Sequence, residues 1–313
     1  NSKSKMKLGR FDLRRNKNNK FVENYLFNQT LVNYDEYYEN NQSLSKKFQD
    51  HMYEIYNKLK KKFPKGSKLV EVGCGQGDFL KIVENDKYFN FVGFDKAYKG
   101  KNKKIFKRYI NSQDKQKVDV VILRHVLEHI KKPHLFLNHL RRIFIKTKIY
   151  LEVPCFDWIV KNNAFFDLTY EHVNYFNKKS LISLFDNKFD KFGKCFGDQY
   201  QYIITDLDNL SEKFTKSYNS KKWYKLRLDK LFPKLKKKIS EIEKISKKKN
   251  RIFIWGAATK GCMFIIHCMK NKKLFDKISN AIDINKEKCN KFLPVSYKKI
   301  ISKEKYFRKA KPN

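Results

Sequence analysis

The sequence lacks the features that mark secreted and membrane-spanning proteins. The first twenty residues are charged throughout, and no run of 18 apolar residues occurs in the 313-residue chain. Six cysteines are present, without a C-x-x-C pair and mostly inside apolar runs: Cys74, Cys155, Cys195, Cys262, Cys268 and Cys289. This pattern is typical of reduced, packed thiols rather than of a disulfide framework or a zinc site. We therefore expect a cytoplasmic protein with neither a membrane span nor a bound metal.

Arginine is also scarce, although the chain is strongly basic. Lys and Arg number 71 against 32 acidic residues, giving a net charge of +39, but only 10 of the basic residues are arginines. Because bidentate recognition of phosphates and bases favours arginine, the excess of lysine favours a compositional bias over a nucleic-acid-binding surface. A positive field of this kind still attracts small anions. The length predicts about two domains, and 41% hydrophobic residues are sufficient to build their cores.

The most informative segment is a strand, a glycine turn and a helix. Residues 68–72 form a β-branched, apolar run that is typical of a buried parallel strand, and Asp78 opens an amphipathic helix. Between them lie Gly73, Gly75 and Gly77. Glycine allows positive φ and a close approach of the backbone to a ligand, because it has no Cβ. The turn therefore predicts a nucleoside-binding site.

An acidic residue ends the next strand, eighteen positions beyond the last of these glycines, at Asp95. Dinucleotide-binding proteins carry G-x-G-x-x-G with an acid about 20 residues further on. Here the third glycine comes one position early, and Glu71 precedes the first. The arrangement resembles the first motif of the class I methyltransferases, which implies S-adenosylmethionine as cofactor. Asp95 is then expected to accept hydrogen bonds from both ribose hydroxyls.

The rest of the chain predicts an α/β fold. After a helix at about 45–62, strands recur at 91–95, 118–123 and 148–153, consistent with a doubly wound, Rossmann-like parallel sheet. A second strand, small-residue turn and helix begin at Arg251, and Pro233 breaks the preceding lysine-rich helical segment into two helices. We predict four segments: a basic, irregular arm (1–33), the methyltransferase domain (34–207), a helical linker (208–250) and a second, smaller and incomplete Rossmann-like domain (251–313).

Four groups of residues are candidates for chemistry. The first lies after the strand that ends near residue 123, where ligands of open α/β sheets bind. Arg124 or His125 is expected to meet the carboxylate of the cofactor's methionine, and His129 to line the entrance. The alternative is that Glu128 and His129 only cap or satisfy a helix.

The second group is Glu152, which ends another strand and is expected to face the crevice, unless the following Val-Pro is only a structural turn. The third comprises Tyr170, Glu171, His172 and Tyr175. Histidine, with a reference pKa of about 6.5, suits a general base near neutrality, and a neighbouring carboxylate can orient it. A buried hydrogen-bonded network is the alternative for this group.

The fourth group is the turn Gly256-Ala-Ala-Thr-Lys260-Gly261. Small residues at the start of a helix expose N–H donors, and a lysine there can neutralise a phosphate. A tight turn with a solvated lysine is equally consistent with the sequence.

Taken together, these motifs and their order resemble the sugar C-methyltransferases over about residues 34–300. The motifs are the glycine turn, Arg124-His-Val-Leu-Glu-His, Glu152-Val-Pro, Glu171-His172-x-x-Tyr175-Phe176, Gly256-Ala-Ala-x-Lys-Gly and Ile282-Asp-x-Asn-x-x-Lys-x-x-Lys-Phe-Leu-Pro294. Enzymes of this family act on nucleotide-linked keto-deoxysugars. The chain lacks the family's cysteine-ligated zinc module, and Thr169 stands where the family carries a tyrosine.

The resemblance implies a methyl transfer to an enolate formed beside a sugar ketone. His172 would remove the α-proton and Glu171 would orient it, with Tyr170 compensating for the missing tyrosine. Tyr37 and Tyr38 would donate hydrogen bonds to the substrate. The resemblance also implies that the substrate is bound by His129, Glu152, Tyr175 and Lys260.

Two alternatives remain open at this stage. One is methylation of oxygen or nitrogen on another small-molecule acceptor. The other is an RNA methyltransferase that uses the basic surface.

Overall fold

The computed structural model describes residues 9–32, 45–220, 222–248 and 251–309. The described chain divides into two compact units. The larger unit contains residues 11–32, 45–158, 170–220 and 222–226, and the smaller one contains residues 9–10, 159–169, 227–248 and 251–309. Within the described residues, no helix is long and apolar enough to cross a membrane.

The strands of the larger unit form two sheets. In chain order they are β1 (Leu13–Asn16), β2 (Val22–Asn24), β3 (Lys68–Val72), β4 (Asn90–Phe94), β5 (Ile105–Phe106), β6 (Val120–Arg124), β7 (Lys148–Pro154), β8 (Asn174–Tyr175), β9 (Lys191–Cys195), β10 (Tyr200–Asp206) and β11 (Trp223–Lys225). The central sheet has the order β5-β4-β3-β6-β7-β10-β9, and its first five strands are parallel. Strand β10 runs antiparallel to both β7 and β9. The predicted α/β class with a Rossmann-like, mostly parallel sheet is confirmed.

The helices of this unit follow the predicted alternation. They are α1 (Lys46–Lys62), α2 (Asp78–Asp86), α3 (Pro133–Ile143), α4 (Phe156–Lys161), whose last turn enters the smaller unit, α5 (Lys178–Ser183) and α6 (Glu212–Tyr218). Side chains on the central strands alternate between two cores, as the period of two in a strand requires. In β3, Val70 packs into one core and Leu69 into the other, and both are fully buried. Apolar side chains on both faces are typical of a parallel sheet covered by helices.

The prediction of an irregular arm is wrong for the residues of β1 and β2. Strands β1 and β2 join β8 and β11 in a four-stranded antiparallel sheet of order β11-β1-β2-β8. Phe21, just before β2, is fully buried against Phe176 and Phe214. The basic composition gave no indication of β1 and β2, because the few apolar residues of this segment pack against residues more than 150 positions away.

The smaller unit begins with α7 (Leu228–Leu231) and α8 (Pro233–Ser246), and Pro233 stands in the first turn of α8, as predicted. The elements that follow are β12 (Ile252–Trp255), α9 (Thr259–Cys268), α10 (Lys272–Lys277), β13 (Ile278–Ile282), β14 (Lys299–Ile301) and α11 (Lys303–Lys309). Strands β12, β13 and β14 form a parallel sheet in that order. The predicted helical linker is thus divided: α6 and β11 lie in the larger unit, whereas α7 and α8 lie in the smaller one.

Candidate active site

The glycine turn connects β3 to α2 at the carboxyl edge of the central sheet. Gly73, Gly75 and Gly77 all have positive φ, at 75°, 57° and 79°. A Cβ added to Gly73 would lie 2.4 Å from Cγ2 of Val126, so the packing of Val126 leaves no room for a side chain at this position. A Cβ at Gly75 would meet no atom within 4 Å. The backbone at Gly75 therefore faces open space, as the site of a bound ligand requires.

Asp95 directly follows β4 and is tied to this turn. Its Oδ2 accepts a hydrogen bond from the backbone N–H of Gly75 at 2.7 Å, and its Oδ1 accepts one from Ala97 at 2.8 Å. Burial raises the pKa of Asp95, and these two amides offset only part of the rise. The turn and the carboxylate predicted for the ribose are thus in direct contact.

Glu71 and Arg124 form an ion pair in the interior. Arg124 Nε donates to Glu71 Oε1 at 2.9 Å, and the guanidinium lies 4.4 Å from the ring centre of Phe79. Burial raises the pKa of Glu71, and the Arg124 guanidinium lowers it again only in part. Glu71 does not line the cavity described next, because its side chain points into the core.

A cavity of about 880 Å³ opens beside the turn, within the usual size range of ligand sites, about 300–1,000 Å³. The turn and both neighbouring strands contribute to its wall, which is lined by Val72–Gln76, Asp78, Phe79, Phe94–Ala97, Lys99, Arg108–Ile110, Arg124–Val126 and His129–Lys131. Helices and one loop complete it through Gln29, Phe48, Met52, Phe136 and His139. Of the predicted cofactor residues, Gly73, Gly75, Asp95, Arg124 and His125 line this cavity, whereas Glu71 and Gly77 lie behind its wall.

His125 follows β6 directly and has a positive φ of 54°. Its Nδ1 lies 3.4 Å from Glu128 Oε1, and its Nε2 lies 3.2 Å from Glu152 Oε1. Burial lowers the pKa of His125, but the carboxylates of Glu128 and Glu152 outweigh this effect and raise the pKa to about 9. The imidazole is therefore a cation at neutral pH, placed in the cavity wall.

Glu152 does not face the crevice as the sequence predicts. Its side chain is fully buried, and four side chains surround the carboxylate. Tyr150 donates to Oε2 at 2.7 Å, Cys195 donates to Oε2 at 3.3 Å, and His51 Nε2 lies 3.0 Å from Oε1. Burial raises the pKa of Glu152, but the imidazoles of His125 and His51 outweigh it and hold the pKa well below its usual range. Glu152 therefore fixes the position of His125 from within the core.

His51 is a site-supporting residue that sequence analysis missed. It lies on α1, and it is buried together with Phe48, Met52, Ile55 and Leu59. This spacing of three and four marks one helix face. The sequence could have indicated His51, because a histidine at a position of this apolar helix face is unusual.

His129 and His172 come together although 43 positions separate them. Their ring centres are 4.9 Å apart at an interplanar angle of 75°, and His129 Nδ1 lies 3.0 Å from the backbone oxygen of Glu171. The carboxylate of Glu128 lies in the same group. The sequence predicts Glu171 as the partner that orients His172, and the structure adds Glu128 and His129 beside that imidazole.

The two tyrosines of this segment occupy different surroundings. Tyr175 is buried, with its ring centre 6.2 Å from that of His172. Tyr170 accepts a hydrogen bond from the backbone N–H of Asn28 at 2.9 Å and packs on Phe27. Tyr37 and Tyr38, predicted to contact the substrate, lie outside the described residues.

Lys260 belongs to the smaller unit. Its Nζ lies 4.5 Å from the ring centre of Phe166 in that unit, and it follows a turn that starts at Gly256, whose φ is 101°. Asp283 accepts a hydrogen bond from the backbone N–H of Ala257 at 3.0 Å. The smaller unit thus repeats the pattern of the Gly75 and Asp95 contact, with a turn amide donating to an acid after the neighbouring parallel strand.

Residues 44–188 match the family described as methyltransferase domain. A search of curated proteins finds no match. Among solved structures, the chain is similar to a SAM-dependent methyltransferase from Archaeoglobus fulgidus, with 15% identity, a TM-score of 0.39, and coverage of 54% of this chain and all of that one. A SAM-dependent methyltransferase from Aquifex aeolicus has 10% identity and a TM-score of 0.35, with 50% and 89% of the two chains covered.

A third similar structure is coclaurine N-methyltransferase bound to N-methylheliamine and SAH. It has 12% identity and a TM-score of 0.37, with 54% of this chain and 56% of that one covered.

The family match falls on the segment that carries the glycine turn, Asp95 and the cavity. Residues 44–188 thus form a methyltransferase domain of the class I, Rossmann-like type. Its cofactor is S-adenosylmethionine, as the order of Glu71, the glycines and Asp95 predicts.

Proposed function

We propose that this enzyme transfers a methyl group from S-adenosylmethionine to a nucleotide-activated keto-deoxysugar or a related precursor of surface glycans. The observation that carries the proposal is the charge of the cavity wall. Beside the glycine turn it contains Lys96, Lys99 and Lys131, together with Arg108, whose guanidinium is paired with Asp114. Its acidic residues, Asp78 and Asp95, lie at and beside the turn. A basic wall favours an acceptor with phosphate groups.

In this proposal the adenosine lies over Gly73 and Gly75, and Asp95 accepts hydrogen bonds from its ribose. Arg124 and His125, the two cations at the end of β6 in the cavity wall, attract the carboxylate of the methionine part. Glu71 and Gly77 act indirectly: Glu71 holds Arg124 in place, and Gly77 starts α2. We further propose that residues 34–207 form the catalytic domain and that 251–313, with Lys260, helps to bind the nucleotide.

The reaction needs a deprotonated acceptor beside the methyl group. The acceptor carbon next to the ketone loses a proton, and the resulting carbanion attacks the methyl carbon. The electron pair of the broken C–S bond stays on sulfur, which leaves neutral S-adenosylhomocysteine. We propose that the proton is lost at the His129 and His172 group, where Glu171 and Tyr170 are predicted to assist. Alignment of the reactants lowers the barrier further, since orientation can recover about 7–11 kcal/mol of a barrier.

The test is incubation of the full chain with methyl-labelled S-adenosylmethionine and a panel of nucleotide sugars, followed by mass analysis in deuterated water. We expect a gain of one methyl group together with exchange of the α-proton. Methylation without exchange would transfer the assignment to an oxygen or nitrogen acceptor. Transfer to RNA but to no sugar would refute the proposal.

A further inference from the structure

A compact group of metal-ligating side chains lies beside the cavity. Glu128, His129 and His172 each offer one ligand atom, and these atoms lie within 4.8 Å of one another. Glu128 is buried, the two histidines are half-buried, and His129 also lines the cavity. Two imidazoles and one carboxylate are the protein ligands of catalytic zinc sites and of non-haem iron sites.

The described residues contain one other such group, His51, Glu152 and Cys195. It is fully buried, and both carboxylate oxygens of Glu152 already have close partners among the surrounding side chains. A cation there would have no position open to a substrate. The group around Glu128 is therefore the better candidate.

The two oxygens of Glu128 differ in their surroundings. Oε1 lies 3.4 Å from His125 Nδ1, but Oε2 is buried without a hydrogen-bond partner. A buried carboxylate oxygen without a partner is costly, because it has lost its water. A cation at this position would satisfy it.

His129 is held in the orientation that a ligand requires. Its Nδ1 lies 3.0 Å from the backbone oxygen of Glu171, so a proton on Nδ1 is donated to that carbonyl. This leaves the lone pair on Nε2. Metal-binding histidines generally donate their second ring N–H to a carbonyl or carboxylate, which fixes the tautomer and the ring.

We propose that Glu128, His129 and His172 bind one divalent transition-metal cation, with an open coordination position toward the cavity. Bonds of about 2.0–2.2 Å to each ligand require these atoms to move closer together when the cation binds. The sequence predicts no bound metal, so this site is an addition to the predicted chemistry. It differs from a cysteine-ligated zinc module, because its ligands are two imidazoles and one carboxylate.

The role of the cation rests on the proposed function. Bound to the ketone oxygen of the acceptor, it would stabilise the negative charge that develops there when the neighbouring carbon loses its proton. His172, proposed above as part of the group that takes this proton, would then be a ligand, and a hydroxide bound to the cation would accept the proton in its place and become water. The methyl transfer itself is unchanged.

The experiment measures cation binding without cofactor or acceptor. The full chain is stripped with a chelator and titrated with Mn²⁺, followed by electron paramagnetic resonance, and with Zn²⁺, followed by calorimetry. We expect one saturable site whose affinity falls at least ten-fold in Glu128→Gln and in His172→Gln. His139→Gln, which removes a cavity histidine outside the group, should keep the affinity of the unsubstituted protein.

Folding is checked by circular dichroism and thermal melting. Mn²⁺ should raise the melting temperature of the unsubstituted chain but not that of folded Glu128→Gln, because a ligand stabilises only the state that binds it. Absence of saturable binding would overturn the proposal. So would binding that survives Glu128→Gln and is lost in Cys195→Ser, since the cation would then lie in the other group.

The two proposals fail separately. Saturable cation binding without methylation of any sugar would refute the proposed acceptor and leave the metal site. Methylation of a nucleotide sugar that continues at full rate in the stripped protein would overturn the catalytic role of the cation and leave the acceptor.

Discussion

Arg124 and Glu71 bind each other across neighbouring strands, with Nε and Oε1 2.9 Å apart; Glu71 is fully buried and Arg124 is half-buried. The sequence predicts both as residues that contact the cofactor. The structure shows that β6 and β3 bring them together behind the glycine turn. Their common effect is to fix the guanidinium over Phe79, in the wall of the cavity.

Removing the cation of this pair should destabilise the fold in a pH-dependent way. Arg124→Met leaves a buried carboxylate without its partner, a change that typically costs about 3–5 kcal/mol. The pKa of Glu71 is already raised by burial and rises further in the variant. A raised pKa in the folded state means that stability is present at low pH and is lost as the pH rises through that pKa.

We therefore expect the stability deficit of Arg124→Met, measured by urea unfolding, to be larger at neutral pH than under mildly acidic conditions. Glu71→Gln combined with Arg124→Met serves as the control, since it removes the titrating group and should show no such trend. An equal deficit at both pH values would contradict this account.

Two glycines of one turn should respond differently to alanine. Gly73→Ala places a Cβ 2.4 Å from Val126, so we expect a loss of folding stability, about 1–3 kcal/mol. Gly75→Ala meets only open space and should cost less in folding but weaken binding of S-adenosylmethionine. Thermal melting and calorimetry on both variants separate the effects. Val126→Ala introduced with Gly73→Ala should recover part of the lost stability, and no recovery would show that the contact is not the cause.

Asp95 should be essential for cofactor affinity. Asp95→Ala removes two proposed bonds to the ribose, and bonds to a charged group contribute about 1.5–3 kcal/mol each, so we expect at least a ten-fold weaker Kd by calorimetry. Asp119→Ala is the matched control, because Asp119 also accepts a backbone N–H, that of Lys68, but at the other end of β3 and outside the cavity lining. Unchanged affinity in Asp95→Ala would refute the cofactor position.

The same carboxylate predicts the pH dependence of binding. Burial raises the pKa of Asp95, so its charge is lost at a higher pH than that of an exposed aspartate. Affinity for S-adenosylmethionine should consequently fall as the medium is acidified through that raised pKa. Asp95→Asn should bind weakly at every pH, and a pH profile identical to that of the unsubstituted enzyme would exclude Asp95 as the titrating group.

The basic wall of the cavity should select phosphorylated acceptors. We expect Lys131→Gln to raise KM for a nucleotide sugar several-fold with little change in kcat, and the effect to shrink at high salt, because exposed charges are screened. Lys213→Gln, on α6 and outside the cavity lining, is the control. A steep fall of substrate affinity with salt, of the kind that release of many counterions produces, would instead favour RNA as the acceptor.

The sequence by itself predicted the α/β class, the parallel strands and the cofactor turn. These features depend on local signals: the apolar runs of β3, β4, β6 and β7, and three glycines followed by Asp95 at a fixed distance. Helix α1 and strand β3 were predicted to within a residue. Each of these elements can be predicted from the residues of its own segment.

The tertiary structure alone decided which polar side chains share a site. The sequence predicts Glu152 as a substrate ligand, but two of its partners, His51 from α1 and Cys195 from β9, come from segments far from it and from each other in the chain. Likewise, Glu128 and His129 meet His172 only after the chain has crossed the sheet. The periodicity of apolar residues predicts whether a residue is buried. The partner of a buried charge is set by packing between distant segments. No local pattern in a single sequence predicts that partner.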